Sequence, residues 1–349
     1  MILLLTSLSL SRPTIMSVTL DIDIDAPGHQ HGKVSISLDS VEGREPQLVE
    51  MPIISLRSGV GPTLVLTAGV HGDEYEGQVA LSELGRSLDL ERVAGHVIIM
   101  PTANGPACSA GTRNTPSDGL NLNRAFPGDP GGTFTSRLAH FIDEELYRRA
   151  DYAADFHCGG EILHFLPSTL FVVTGDVAAD RSRLDLAAAF GARHCMLFGF
   201  KTMGVEVGVD AAMLRQNVVG ISGEYGGSAE LGIATLELCR HGLHRMLSHV
   251  GIVQSATRVS IDQPQLVDVR ADECYVIAGC EGLFEPLVQL GEYVQFDAPI
   301  ARMHQPDRPT KPATLVRSTC NGIVMARRAL AKTSPRDWLF VVGQPTAQF

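Results

Sequence analysis

The pattern of apolar and polar positions divides the chain into three parts. Residues 17–56 alternate apolar and polar side chains, which predicts short antiparallel strands at the edge of a sheet. From residue 63 onward, continuous apolar runs alternate with segments whose apolar residues recur at helical spacing. Near residues 255–262 the helical spacing stops, and short strands separated by Gly, Pro and Asp follow. The chain is therefore predicted to combine edge strands, an α/β region and an all-β end.

The central part is predicted to be an α/β fold with a largely parallel sheet flanked by helices. Buried strands are predicted at TLVLTAG, GHVIIMP, YAADF, LFVVT and VVGISGE, and helices at EYEGQVALSELGRSLDL and near residues 133–150, 178–190 and 229–249. Strands that alternate with helices along the chain are typical of sheets whose neighbouring strands run parallel.

Two domains and a short extension are expected. The first domain covers residues 17–255 and the second, rich in β-strands, covers residues 256–349. Residues 1–16 begin with the apolar run MILLLTSLSL, which has no positive charge before it and no evident small-residue cleavage site after it. We therefore expect a disordered extension, or translation from Met16, rather than a secretory signal.

Composition and charge exclude several classes of protein. The 349 residues are 44% hydrophobic and 19% charged, as in globular proteins, and no run approaches the roughly 18 apolar residues of a membrane span. With 28 Lys and Arg against 39 Asp and Glu, the net charge of −11 argues against a nucleic-acid partner. Seven scattered cysteines without a CxxC pair argue against a disulfide framework or a zinc ribbon and favour the reducing cytoplasm.

Three predicted buried strands end in polar residues that can do chemistry. TLVLTAG leads to His71 and Glu74, YAADF to His157, and VVGISG to Glu224. Ligands of parallel α/β sheets bind outside the carboxyl ends of the strands, where these four side chains would meet. Two histidines and a carboxylate are the ligand set of many catalytic zinc sites, which leaves Glu224 as an acid/base. Asp155, on the same strand face as His157, could accept the outer imidazole N–H, or it could be an ordinary strand-end aspartate.

The HGDE segment also has a simpler interpretation. Asp73 and Glu74 precede a predicted helix, whose macrodipole favours negative charge at its N-terminus. Spacing alone therefore leaves a metal site and a polar helix-start turn equally open.

A long loop from Pro101 to Gly132 is a candidate binding segment. It is rich in Gly and Asn and contains Arg113, Asn121, Asn123 and Arg124. Loops of this length inside compact domains are usually functional or disordered, and a guanidinium binds a carboxylate in bidentate fashion. Solvated surface arginines are the alternative, but the neighbouring asparagines favour a carboxylate-binding loop.

Four motifs together resemble one enzyme family. HGDEYEG, GLNLNRAFPG, DFHCGG and GEYGG, in this order, are similar to motifs of the zinc-dependent succinylglutamate desuccinylase/aspartoacylase family, relatives of the zinc carboxypeptidases. The similarity covers most of residues 60–250 and is strongest to members that deacetylate N-acetyl-diaminobutyrate in ectoine breakdown. It implies a zinc-carboxypeptidase-like mixed sheet and a small C-terminal β domain resembling a biotinyl/lipoyl sandwich. Lys311 lacks the flanking methionines of a carrier lysine, so no carrier function is expected.

The resemblance also implies a reaction and roles for named residues. The expected reaction is hydrolysis of the amide bond of a small N-acyl amino acid, with N-acetyl-L-2,4-diaminobutyrate as the first candidate. One Zn²⁺ per chain would be bound by His71, Glu74 and His157. Glu224 would act as general base and acid, Arg113 would polarise the scissile carbonyl, and Asn123 and Arg124 would hold the substrate carboxylate.

Departures from the family pattern and alternative functions remain. Cys158 follows the second histidine, where a thiolate could compete for zinc, although a small buried thiol is the simpler expectation. GEYGG replaces an expected TELGG, so the specificity of the acyl or side-chain pocket is not predicted.

The alternative functions are a metallocarboxypeptidase, an esterase acting on a small acylated acid, and a non-catalytic metal- or carboxylate-binding protein. A homo-oligomer is expected, with the β domain as a cap or a subunit contact.

Overall fold

The computed structural model describes residues 18–38, 47–202, 204–254 and 262–349. The extension predicted over residues 1–16 lies outside the described residues, as does most of the predicted boundary between the two domains.

The described strands and helices follow the predicted alternation. In the first part of the chain they are β1 (Thr19–Leu20), β2 (Gly28–Ser37), β3 (Leu48–Ser58), β4 (Thr63–Ala68), α1 (Glu76–Ser87), β5 (Gly95–Met100), α2 (Gly105–Ala110) and α3 (Phe134–Phe141). The middle part contains β6 (Tyr152–His157), β7 (Leu163–Phe165), β8 (Ser168–Val173), α4 (Val177–Phe190), β9 (His194–Gly199), α5 (Val209–Arg215), β10 (Val219–Glu224) and α6 (Ile233–His249). The last part contains β11 (Gln265–Asp268), β12 (Tyr275–Ile277), β13 (Gly282–Pro286), β14 (Tyr293–Val294), β15 (Pro299–His304), β16 (Thr314–Arg317), β17 (Gly322–Arg328), β18 (Lys332–Thr333) and β19 (Trp338–Thr346).

One large mixed sheet organises the molecule. Its strands follow the order β1-β2-β3-β5-β4-β6-β10-β8-β9-β11-β19-β17-β14. β1, β2, β3 and β5 pair in antiparallel fashion, whereas β5, β4, β6 and β10 form a parallel centre. The predicted antiparallel edge and parallel middle are both confirmed, and with them the α/β fold class.

Helices cover both faces of this sheet. On one face α1, α4 and α6 pack over an apolar cluster that includes Leu84, Phe190 and Leu247. On the other face α3 and α5 pack over a second cluster that includes Leu138 and Met213. These two buried layers hold the central strands rigidly, so the strand ends are fixed relative to one another.

Several elements differ from the predictions. The helix predicted near 133–150 is α-helical only over α3, after which a π turn (Ile142–Leu146) and a 3₁₀ turn (Tyr147–Arg149) complete it. The strands β9 and β11 and the helix α5 were not predicted. They are four to seven residues long, too short for a helical or alternating period to stand out.

The C-terminal strands are joined to the large sheet. β11 pairs in parallel with β9 and in antiparallel fashion with β19, while β7 pairs with β17. A separate sheet, β16-β15-β13-β18, closes a third apolar cluster that includes Phe284 and Phe340. The all-β end predicted for the chain is therefore present. It is joined to the α/β part by pairing between neighbouring strands. The domain limits themselves remain a prediction.

Candidate metal centre and active site

The three strands predicted to carry chemistry are direct neighbours. β4, β6 and β10 run parallel in the middle of the sheet, and His157 at the end of β6 is the register partner of Glu224 at the end of β10. The turn after β4 carries His71 and Glu74. The structure thus brings all four candidate side chains to one edge of the sheet.

Glycines allow the turn that carries His71 and Glu74. Gly69 adopts a φ of +69°, a conformation that favours glycine, directly after β4. A Cβ atom on Gly72 would lie 2.0 Å from the backbone of Ala107, so α2 can approach the turn only because this residue is glycine. The HGDE segment is therefore a close-packed turn before α1, not a solvated one.

His71, Glu74 and His157 form a compact donor group. Nδ1 of His71 lies 2.8 Å from Oε1 of Glu74, and Nδ1 of His157 lies 2.8 Å from Oε2 of the same carboxylate. One donor atom from each of the three residues lies within 4.8 Å of the others, and all three side chains are buried. Among the residues that the structure describes, this is the only such group of at least three His, Cys, Asp or Glu side chains.

The outer nitrogens of both imidazoles face oxygen atoms. Nε2 of His71 lies 3.0 Å from Oδ1 of Asn121, and Nε2 of His157 lies 2.5 Å from Oδ2 of Asp155. These oxygens favour the tautomer with hydrogen on Nε2, which turns the Nδ1 lone pairs toward Glu74. With both Nδ1 atoms unprotonated, two lone pairs and a carboxylate would face one another, which is an arrangement that suits a bound cation. The donor set therefore fits a metal ion such as Zn²⁺.

Asp155 is itself held in place. Thr67 on β4, its register partner, donates a hydrogen bond of 2.5 Å to Oδ1 of Asp155, and Thr67 lies 3.1 Å from the hydroxyl of Tyr147. The side chain of Asp155 is only 1% exposed. The structure places it where the sequence analysis expected a partner of the outer imidazole nitrogen.

The electrostatics of the donor group are dominated by carboxylates. Burial opposes the charged form of Glu74, but the two histidines hold the pKa of its carboxyl well below the usual range. Burial also disfavours a charged His157, yet Asp155 and Glu74 raise its pKa well above the usual value. Burial lowers the pKa of His71. The site is negative and favours a bound cation.

Glu224 faces the same cavity from the next strand. Its Oε2 atom is buried and has no hydrogen-bond partner among the described residues. Burial, together with the nearby Glu74 carboxylate, raises the pKa of the Glu224 carboxyl well above its usual value. A cavity carboxyl with a raised pKa is a candidate for a general base and acid.

The loop predicted to bind a carboxylate approaches the site with two arginines. Nη1 of Arg113 donates a hydrogen bond of 3.2 Å to Oε1 of Glu74, and its side chain is 42% exposed. Arg124 also lines the cavity, and burial lowers the pKa of its guanidinium. Oδ1 of Asn123 accepts a hydrogen bond of 2.8 Å from the Val209 amide and so is engaged at the start of α5.

Cys158 lies beside the donor group without joining it. Its backbone N–H donates to Oε2 of Glu74 at 3.2 Å. Burial, and then the negative charge of Glu74, raises the pKa of the Cys158 thiol well above its usual value, so the thiol stays protonated. A thiolate that competes for a metal is not what this environment favours.

The sequence analysis missed the rest of the cavity. Its volume is about 130 Å³, and residues that were not predicted line it: Leu163, Phe165, Leu170, Phe198, Val205, Gly208, Asp210, Ser222, Tyr275, Trp338 and Val341. Ser222 could have been found, because it lies two residues before Glu224 on the same strand face. Tyr275, Trp338 and Val341 belong to the C-terminal part and carry no local signal that points to this site.

Comparison with known proteins identifies the family. The family model for the succinylglutamate desuccinylase/aspartoacylase catalytic domain matches residues 60–250. The chain belongs to the succinylglutamate desuccinylase/aspartoacylase family. It is 35% identical to the N-alpha-acetyl-L-2,4-diaminobutyric acid deacetylase of Halomonas elongata, over 95% of this chain and 96% of that protein. The resemblance drawn from the four motifs is therefore confirmed.

Solved structures of succinylglutamate desuccinylase/aspartoacylase family proteins share the fold. The protein of this family from Rhodobacter sphaeroides superposes with a TM-score of 0.87 at 34% identity, over 94% of this chain and 99% of that chain. The product-bound ectoine utilization protein EutE (DoeB) from Ruegeria pomeroyi superposes with a TM-score of 0.87 at 32% identity, over 94% and 98%. Within the residues that the structure describes, no helix has the length and hydropathy that a membrane crossing requires.

Proposed function

We propose that this protein is a zinc-dependent deacylase that hydrolyses the amide bond of a small N-acyl amino acid. The observation that carries the proposal is the buried donor group of His71, Glu74 and His157 beside Glu224, whose pKa is raised. The deacetylase activity named for the Halomonas elongata relative makes N-acetyl-L-2,4-diaminobutyrate the first candidate substrate.

The three donors would hold one Zn²⁺ per chain. When bound, the ion would supply a Lewis acid that polarises a carbonyl and lowers the pKa of water toward about 7. Asn121 and Asp155 keep the two imidazoles in the orientation that this requires, since each faces the outer nitrogen of one ring.

Glu224 would move the proton. As a carboxylate it would take a proton from the attacking water, and as a carboxylic acid it would give that proton to the departing amine. Burial, and then the nearby Glu74 carboxylate, raises the pKa of this carboxyl, so it binds a proton more tightly than an ordinary glutamate does. A protein that only binds a metal or a carboxylate has no need of such a group, which weighs against the non-catalytic alternative.

The two arginines would orient the substrate. Arg113 contacts Glu74 and would stabilise charge that develops on the acyl oxygen. Arg124 lines the cavity and would pair with the substrate carboxylate, with Asn123 alongside it.

C-terminal strands contribute to the wall of the cavity, which would favour small substrates over long peptides. Tyr275, Trp338 and Val341 come from these strands and line the same cavity as the donor group. With a volume of about 130 Å³, the cavity would leave most of a long peptide outside. A metallocarboxypeptidase needs to admit only the end of a peptide, and an ester of a small acylated acid would fit the same geometry, so a substrate panel decides between these alternatives.

We propose the cytoplasm as the compartment and a homo-oligomer as the assembly. All seven cysteines are free thiols, which fits a reducing environment. The C-terminal strands would act as a cap over the site, and residues 256–349 would form the cap domain.

A substrate panel tests the proposed function. Zinc-loaded protein is incubated with N-acetyl, N-succinyl and N-formyl amino acids and with blocked tetrapeptides, and released amine is measured with and without a chelator. Chelator-sensitive release from a small N-acyl amino acid is the expected result. Release from peptides alone would favour the carboxypeptidase alternative, and silence across the panel from a protein that retains zinc would overturn the proposal.

A further inference from the structure

Asp210 is an acidic residue inside the cavity that the proposed reaction does not use. It lies in the first turn of α5, and its carboxylate lines the cavity together with Glu74 and Glu224. Glu74 belongs to the metal donor group and Glu224 is the proposed base. Asp210 has neither role, yet it occupies a site where an unneeded negative charge is costly.

The backbone around Asp210 is tightly fixed. Oδ1 of Asn123 accepts a hydrogen bond from the Val209 amide, which anchors the start of α5. A Cβ atom on Gly208 would lie 2.9 Å from that same oxygen, so the helix can begin this close to the loop only with glycine there. Asn123 thus positions the acidic side chain of Asp210.

A hydrogen bond from Ser222 orients the carboxylate. Oγ of Ser222 donates to Oδ1 of Asp210 at 2.7 Å. Arg124 lines the same cavity; burial lowers the pKa of its guanidinium, and the Asp210 carboxylate acts in the opposite direction. Burial raises the pKa of the Asp210 carboxyl to about 6, while the hydrogen bond from Ser222 and the nearby His157 act in the opposite direction. The group is therefore mostly ionised at neutral pH.

The position of Ser222 sets the distance from the reacting groups. Ser222 and Glu224 are two residues apart on β10, so their Cα atoms are separated by about 6.6 Å along one face of the sheet. In an N-acyl diamino acid of this size, four bonds separate the acylated nitrogen from the free amine. A substrate whose amide lies at Glu224 would therefore bring its free amine close to the carboxylate that Ser222 orients.

The cavity holds one acidic group to which the proposed reaction gives no role. Of the three acidic residues that line it among the described residues, Glu74 belongs to the donor group, Glu224 is the proposed base, and Asp210 remains. A side-chain ammonium on the substrate would form a charge-assisted hydrogen bond with the carboxylate of Asp210.

We infer that Asp210 is the residue that selects an N-acyl amino acid with a short cationic side chain, by accepting a hydrogen bond from the side-chain ammonium. The inference rests on the proposed deacylase function and adds the determinant of its substrate class. Asp210 would contact the end of the substrate remote from the amide, and its influence on bond cleavage would be limited to the negative charge that it places near Glu224.

The test compares two substrates of equal length. N-acetyl-2,4-diaminobutyrate carries the ammonium. N-acetylnorvaline has a side chain of the same length and carries a methyl group in place of the ammonium. We expect Asp210→Asn to lower kcat/KM for the cationic substrate about 10- to 100-fold, as expected from the loss of one charge-assisted hydrogen bond. For N-acetylnorvaline the same variant should change kcat/KM by less than about 3-fold.

Two further variants control for folding and for charge. Asp210→Glu keeps the carboxylate and should retain part of the preference for the cationic substrate. Asp185→Asn removes a carboxylate on the surface of α4 that forms an ion pair with Arg181, and it should leave both substrates unaffected. Zinc content and melting temperature are measured for every variant, so that a loss of folding is seen as such.

A binding measurement provides a readout that does not depend on turnover. Trp338 is the sole tryptophan of the chain and lines the cavity, so its fluorescence reports ligand binding. L-2,4-diaminobutyrate and L-norvaline are titrated into zinc-loaded protein with and without Asp210→Asn. Weakened binding of diaminobutyrate alone is the expected result.

The outcomes separate the inference from the proposed function. Equal losses for both substrates, or no loss for the cationic one, would overturn the role of Asp210 while deacylation stands. A wild-type enzyme that prefers N-acetylnorvaline would do the same. If the wild type cleaves no N-acyl amino acid, the proposed function fails, and the fluorescence titration still decides whether Asp210 recognises an ammonium.

Discussion

The metal donor group and the cavity wall differ in how they are built. His71, Glu74 and His157 follow the ends of two adjacent parallel strands and are linked by contacts of 2.8 Å. The wall is assembled from the short helix α5 and from C-terminal strands far away in the sequence, such as β19 with Trp338. The central sheet thus carries the candidate donor group, whereas segments remote in sequence form much of the wall around it; under the proposed function the wall would select the substrate.

Replacement of Glu224 should have the largest effect and act only on the chemistry. Glu224→Gln removes the proposed proton acceptor but preserves the shape of the side chain, so we expect kcat to fall by about 10²- to 10⁴-fold. Zinc content, measured by mass spectrometry, should be unchanged, because this residue is outside the donor group. A variant with nearly normal turnover would show that another group is the base.

Replacement of Asp155 should weaken the metal rather than the substrate. Asp155→Asn loses the negative charge that faces Nε2 of His157, and we expect metal affinity to fall about 10- to 100-fold. Competition with a chelating dye measures the affinity, and Asp185→Asn on the surface of α4 serves as the control. If both variants retained zinc equally, Asp155 would be only a structural residue.

Replacement of Trp338 should act on the wall and leave the metal in place. Its ring packs against Tyr275 with centroids 5.2 Å apart, and both residues line the cavity. We expect Trp338→Ala to lower kcat/KM for a small substrate roughly 10-fold. Cleavage of N-acyl dipeptides should increase relative to single amino acids, and Trp338→Phe should behave more like the wild type. An unchanged ratio of dipeptide to amino-acid cleavage would contradict a role of the wall in substrate size.

The smallest effect should be a shift in pH dependence that links the two regions. Burial, and then the negative charge of Glu74, raises the pKa of Glu224, and Asp210 contributes in the same direction. Activity that needs Glu224 as a carboxylate is lost as the pH falls through this raised pKa. Asp210→Asn removes a negative charge, so the acid limb of kcat/KM for N-acetylnorvaline should move to lower pH. A shift to higher pH would contradict this electrostatic coupling.

The sequence alone determined the central architecture and the chemistry at its edge. The runs TLVLTAG, YAADF and VVGISG predicted buried parallel strands, and the structure makes β4, β6 and β10 neighbours in the sheet. Parallel strands place their carboxyl ends at the same edge of the sheet, so polar residues at the ends of neighbouring strands lie close together. The four sequence motifs were then sufficient to identify the family.

Only the tertiary structure decided how the pocket is closed. The helix α5 is too short to show a period, and nothing near Asp210 in the sequence indicates that Ser222 will orient it. Trp338 is distant in sequence from every metal-donor residue and reaches the cavity because β11 joins the C-terminal strands to the large sheet. Local patterns record which face of a strand or helix is buried, but they do not record which distant segment covers it. Strand pairing decides which distant segment covers the pocket. It uses backbone atoms that every residue has, so the side-chain pattern does not show which strands will pair.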